Sequence, residues 1–178
     1  MDSTNNLLAI VPMRTQPLHL GHINLIKALQ RSFKKIRIIV GNQPISKDDP
    51  FSSKIRFSWW KQAIDVYGIK NTELKLGAHG LSKEKKFKIY TGNTNCSEPI
   101  VVSGNVAVLK YWDQLGIKIL NVNDVPRITM DHIGLINTSL LTNFDGNSRL
   151  IRKAILLNQL EQYRDYLPKF VYKALFIY

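Results

Sequence analysis

The stretch NLLAIVPMRTQPLHLGHINLIKAL, residues 6–29, changes its period partway along. Its first part, NLLAIVP (6–12), is a short apolar run that stops at Pro12 and reads as a buried strand. From Gly21 onward, Ile23, Ile26, Ala28, Leu29 and Phe33 fit one face of a helix. Between them lies PLHLGH (17–22), which holds two of the four histidines in the chain. A helix N-terminus presents unpaired N–H groups and about half a positive charge, and so makes a seat for phosphate. Gly21 has no side chain, so a triphosphate can approach the backbone there. His19, in the loop before the helix, and His22, in its first turn, can both donate hydrogen bonds to phosphate oxygens. The plainer alternative is an exposed loop histidine followed by an ordinary helix-start residue.

The same alternation continues downstream. IRIIVG (36–41) reads as a second strand, QPISKDDPFSS (43–53) as a polar loop with two prolines, and 54–66 as a helix capped by Ser52 or Ser53. Ile55, Trp59, Ala63 and Val66 are its inward positions; Trp59, Trp60 and Trp112 read as packing residues. TELKLG (72–77) alternates as a strand, and the basic segment after it predicts a strand near 87–91. EPIVVSGN (98–105) is a buried strand running into a turn, VAVLKYWDQLG a helix stopped by Gly116, and IKILNV (117–122) another strand. Two helices close the chain, over 148–167 and 168–176, with Pro168 in the first turn of the last. Strands alternating with helices predict an α/β fold, a Rossmann-like three-layer sandwich with a mostly parallel sheet and helices on both faces. No repeat or linker divides it, so 1–178 reads as a single domain. Ligands of such sheets sit outside the carboxyl ends of the strands, where PMRTQPLHLGH lies.

With 178 residues, 44% of them apolar, the chain can build one well-packed core. No apolar run approaches the roughly 20 residues of a membrane helix, and no membrane partner is expected. MDSTNNLLAIVP has neither a basic n-region nor a small-residue cleavage site, so no signal peptide is expected. Cys96 is the only cysteine, which excludes an intrachain disulfide and makes a reducing, cytoplasmic setting the default. The net charge of +12 and the pI of about 9.9 attract polyanions, with the densest runs at RSFKKIR (31–37) and SKEKKFK (82–88). No RNA-recognition sequence, zinc-finger spacing or basic zipper is present, so nucleic acid is not the expected partner.

Here the residues resemble a known family. MRTQPLHLGHINLIKAL is similar to the opening of the HxGH nucleotidyltransferase superfamily, and most similar to archaeal-type nicotinamide-nucleotide adenylyltransferases, whose pattern is G-R-F-Q-P-F-H-x-G-H. Arg14, Gln16, Pro17, His19, Gly21 and His22 match; Met13, Thr15 and Leu18 depart from it. VGNQPISKDDPFSSKIR resembles the family's polar loop and N-P-F-T-x-x-E-R: Pro50, Phe51, Ser52 and Arg56 match, while Ile55 stands in place of Glu. Asn105 matches the asparagine-bearing turn after a late strand. GNSRLIRKAI resembles the closing signature I-S-x-T-x-I-R, through Ser148, Ile151 and Arg152, with Asn147 and Arg149 substituted. The segment 77–97, where the family reads its acceptor, departs most.

The resemblance implies transfer of AMP from ATP, with Mg²⁺, to a phosphorylated acceptor, nicotinamide mononucleotide in the first instance, with release of pyrophosphate. It implies that His19, His22, Arg14 and Arg152 serve catalysis, and that Gln16, Gly21, Arg56, Asn105, Ser148 and Arg149 bind substrate. Arg149 either makes a new phosphate contact or points to solvent; Lys47 reads as a solvated loop residue. The resemblance also implies an assembly of copies rather than a monomer. Alternatives that share the fold use pantetheine phosphate, a flavin nucleotide, or a sugar or polyol phosphate with CTP. A degenerate nucleotide binder or an RNA-binding module is the non-enzymatic alternative.

Overall fold

A computed structural model describes residues 6–92, 96, 98–125 and 148–176. Five strands form one sheet: β1 (Leu7–Met13), β2 (Lys35–Val40), β3 (Thr72–Leu76), β4 (Glu98–Ser103) and β5 (Lys118–Asn121). Their order is β3-β2-β1-β4-β5, and every pairing is parallel. The helices are α1 (Leu20–Leu29), α2 (Ser53–Val66), α3 (Lys83–Thr91), α4 (Val106–Asp113), α5 (Ser148–Leu156) and α6 (Lys169–Leu175).

Strand periodicity divides the apolar residues between two faces. On one face Ala9, Val11, Ile36, Ile38 and Val102 share a core with residues from α1, α2, α5 and α6, including Ile26, Trp60, Ile151 and Val171. On the other, Leu8, Ile10, Ile39 and Val101 meet Trp112 of α4 and Ile117, with Tyr90 of α3 packed alongside. The expected three-layer arrangement, with helices on both faces, is therefore the observed one. Trp59, Trp60 and Trp112 are all buried, as their spacing suggests.

Four local expectations are corrected. The strand does not stop at Pro12 but runs to Met13. Its pairing with β4 ends at Ile10, so Pro12 lies where β1 has one partner strand and a missing N–H is tolerated. The strand expected near 87–91 is the helix α3. Ser82 caps it by accepting from the Lys85 N–H, and Glu84 sits favourably in its first turn. The long helix expected over 148–167 ends at Leu156, because Asn158 takes a left-handed φ of 54°; a 3₁₀ segment, Leu160–Tyr166, follows. Val66, expected inward, is exposed at the last position of α2, just before Gly68 turns the chain with φ 57°.

One feature of β2 escapes a reading for apolar periodicity. Arg37 is fully buried in the strand; Nε and Nη2 donate to Glu73 Oε2 at 3.1 and 2.9 Å, and Nη1 donates to the Tyr90 carbonyl at 2.7 Å. Lys35 and Lys75 lie 3.0 and 3.4 Å from the same carboxylate. Partial burial pushes the Glu73 carboxyl up, but the hydrogen bonds from Lys35 and Arg37 and the charges of Arg37 and Lys75 outweigh it and bring the group down to about 2. A carboxyl whose pKa falls on folding stabilises the fold above its unfolded pKa of about 4.5, and that stability is lost as pH falls toward 2. The shift corresponds to up to about 3 kcal/mol. Denaturant titration of Glu73→Gln should show a loss of about 1–3 kcal/mol at pH 7. The difference from the parent chain should close as pH is lowered from 4.5 to 2; a gap that stays constant with pH would contradict this account.

Candidate active site

β1 and β4 are neighbours at the centre of the sheet, yet their connections diverge. The chain leaves β1 through α1 toward β2, and leaves β4 through α4 toward β5. Such a divergence opens a crevice at the carboxyl ends of the two strands. Residues 14–19 follow the carboxyl end of β1, and the turn through Gly104 and Asn105 follows that of β4.

His19 is the N-cap of α1 and is 2% exposed; His22 is partly buried in the first turn. Their rings stack with centroids 3.7 Å apart and an interplanar angle of 25°. The His19 backbone N–H donates to His22 Nδ1 at 3.3 Å, which requires an unprotonated Nδ1 and leaves the proton of the neutral ring on Nε2. Burial, and secondarily the charge of His19, hold His22 well below the usual imidazole range, so it is neutral at pH 7. Two freely donating imidazoles were expected; His22 instead commits Nδ1 as an acceptor and offers Nε2–H. Gly21 has a packing role as well as the expected one of close approach. A Cβ there would stand 3.1 Å from His19 Cε1 and Nδ1, and the stacked His22 ring limits how far His19 can yield.

The loop before the histidines is braced from three directions. Thr15 has φ 44°, an outlier for a β-branched residue, and the Gln16–Pro17 peptide is cis. The buried Gln16 amide makes a reciprocal pair with Phe51: Nε2 donates to its carbonyl at 2.9 Å, and Oε1 accepts from its N–H at 3.0 Å. Arg56, with no exposure, donates from Nε to the Phe51 carbonyl at 2.9 Å and from Nη1 to the Arg14 carbonyl at 2.6 Å. Arg152 of α5 donates from Nη1 to the Gln16 carbonyl at 2.6 Å, and Ser148 Oγ to that of Pro17 at 3.4 Å. The fold thus brings Gln16, Arg56, Ser148 and Arg152 together across 136 positions of sequence. Their main contacts are with the loop's backbone, not with open space. Arg56 Nη2 is buried with no hydrogen-bond partner among the described residues.

The other expected residues sit at the edges. Arg14 is half-exposed and forms a two-pronged ion pair with Asp49, a residue the sequence reading passed over. The signal available was KDDPF itself, where the N-P-F-T pattern has a neutral amide in place of Asp49. Asn105 Oδ1 caps α4, accepting from the N–H groups of Ala107 and Val108 at 2.9 and 3.4 Å. Arg149 and Lys47 are exposed, and Asn147 lies outside the described residues. Among the described residues, no group of three or more His, Cys, Asp or Glu side chains could hold a metal ion.

If the loop depends on this brace, Gln16→Ala should cost about 2–3 kcal/mol in urea unfolding, because it strands the buried Phe51 N–H. Arg14→Ala breaks a half-exposed pair and should cost less than about 1 kcal/mol. Equal costs would mean that the brace does not hold the loop.

Residues 14–154 match the model of the cytidylyltransferase-like family. A nicotinamide-nucleotide adenylyltransferase of Methanolobus tindarius is 28% identical over 106 residues, 58% of this chain and 60% of that protein. Among solved structures, a bifunctional NMN adenylyltransferase/ADP ribose pyrophosphatase of Francisella tularensis aligns with a TM-score of 0.62 at 21% identity. It covers 92% of this chain and 45% of that one. The same enzyme complexed with AMP and a manganese ion aligns with a TM-score of 0.58. The chain therefore spans less than two thirds of either relative's length. These two structures share its α/β fold, and the family match begins at Arg14, just after β1, and takes in the loop and both histidines at the start of α1. By the extent of that match, the chain belongs to the cytidylyltransferase-like family of nucleotidyltransferases.

Proposed function

We propose that the chain, acting as one nucleotidyltransferase domain over residues 1–178, transfers AMP from ATP to nicotinamide mononucleotide, yielding NAD and pyrophosphate. The observation that carries this reading is the stacked His19–His22 pair at the start of α1, beside the crevice between β1 and β4. The archaeal relative supports the choice of acceptor.

The reaction needs no general base, because the acceptor phosphate is already anionic near pH 7. One of its oxygens attacks the α-phosphorus of ATP. A new P–O bond forms, the bond from the α-phosphorus to the α–β bridging oxygen breaks, and its electron pair leaves with pyrophosphate. Catalysis is then positioning and charge neutralisation. The first-turn N–H groups of α1 and His22 Nε2–H supply neutral donors. Arg14, Arg56 and Arg152, with Arg149 at the rim, supply positive charge, and Asn105 borders the crevice from the β4 side. Gln16, Gly21 and Ser148 hold the loop and the His19 ring in place.

The donor set offers no protein cage for Mg²⁺ among the described residues. A Mg²⁺ ion bound to a triphosphate takes most of its ligands from phosphate and water, so it would enter with the nucleotide, and no step above runs through it.

His19→Ala and His22→Ala should each lower pyrophosphate release by about 10²–10³ with little change in the unfolding midpoint. Unchanged turnover in both would remove the histidines from the site. The family description favours a second reading, CTP-dependent transfer. A pyrophosphate-release panel should separate them, pairing ATP or CTP with nicotinamide mononucleotide, pantetheine phosphate, flavin mononucleotide, and sugar and polyol phosphates. Product from another pair, and none from ATP with nicotinamide mononucleotide, would overturn the first reading.

A further inference from the structure

Asp49 has no part in the reaction just described, yet it occupies one of the residues that do. Its Oδ1 accepts from Arg14 Nε at 3.1 Å and its Oδ2 from Nη2 at 2.7 Å, while Nη2 also donates to the Asp48 carbonyl at 3.2 Å. A guanidinium grips two oxygens of a phosphate with this same fork. The turn that presents Asp49 does not depend on its carboxylate. Ser46 N–H donates to the Asp49 carbonyl, and Asp49 N–H donates to the Ser46 carbonyl and Oγ, all at 3.1 Å.

The surroundings favour an anion at this place. Burial is the first influence lowering Arg56 and Arg152; the charge of Arg14 adds to it in both, and Asp49 opposes it in both. Three guanidinium groups therefore share one field, in which Asp49 acts as a counter-ion. Arg56 Nη2 is buried nearby in the same brace without a partner among the described residues.

We propose that Asp49 is a specificity-determining residue: its carboxylate stands in for a substrate phosphate on Arg14, and a nucleoside triphosphate binds by displacing it. Weak or singly charged anions would not release Arg14; a polyphosphate would. This inference rests on the nucleotidyl-transfer reading of the site.

The test is calorimetric titration with ATP at fixed salt. Asp49→Asn keeps the shape and the backbone turn, and removes the competing charge. It should bind ATP about two- to fivefold more tightly than the parent chain, and Asp49→Ser should shift in the same direction. Arg14→Ala should bind more weakly, and the double variant Arg14→Ala/Asp49→Asn should bind like Arg14→Ala, because the gain needs Arg14. ATP binding by the parent chain with no gain in either Asp49 variant would overturn the proposal and leave the nucleotide site standing. A gain that persists in the double variant would also overturn it, since it would reflect charge alone. Absence of ATP binding in the parent chain and every variant would overturn the nucleotide-site reading itself.

Discussion

Arg56 is a full charge with no exposure, and the arrangement of the site depends on where that charge is put. It donates to the carbonyls of Arg14 and Phe51, and so ties the loop after β1 to the start of α2. A buried guanidinium is costly unless its donors are met, which makes these carbonyls as necessary to Arg56 as Arg56 is to them. The Gln16–Phe51 pair closes the same junction, and Arg152 reaches it from α5. Through these contacts the strained turn at Thr15 persists, and the two histidines are set at the start of α1.

Neutrality and charge are kept apart in this site. The histidines stack closely enough that protonating one opposes protonating the other, and burial acts in the same direction on His22. His22 is a neutral donor and acceptor at pH 7. Positive charge comes from the arginines, which stay ionised despite burial. The division suits the proposed reaction, in which negative charge moves from the α-phosphate region to a departing pyrophosphate: fixed neutral donors orient, and cations take up the charge. The overall charge of +12 adds a long-range attraction for such anions.

Much of the fold is legible in local patterns. NLLAIVP, IRIIVG and EPIVVSGN are apolar because their strands are covered on both faces, and α1, α2 and α4 show their buried sides by spacing. Legibility fails where a side chain's role is set by a distant partner. Arg37 sits in a strand that reads as apolar, because its counter-ion Glu73 comes from β3 and its carbonyl acceptor Tyr90 from α3. The helix α3 has no fully buried residue, so it lacks the apolar stripe that would announce it, and its capping serine is the stronger local sign. Asn158 breaks the penultimate helix through a backbone angle that composition does not reveal.

The sequence by itself determined the alternation of strands and helices, the parallel sheet, the position of PLHLGH at a strand-to-helix junction, and the kinship of the site motif. These follow from periodicity and from adjacent residues, which are local properties of the chain. Only the tertiary structure decided what the motif residues touch. Gln16, Arg56 and Arg152 come from segments as far as 136 positions apart and converge on one loop, where their donors meet backbone carbonyls. Asp49 meets Arg14 because the turn at 46–49 folds against the end of β1. A hydrogen bond or ion pair between distant residues exists only once the chain has closed the distance, so no spacing rule along the sequence could have assigned these partners.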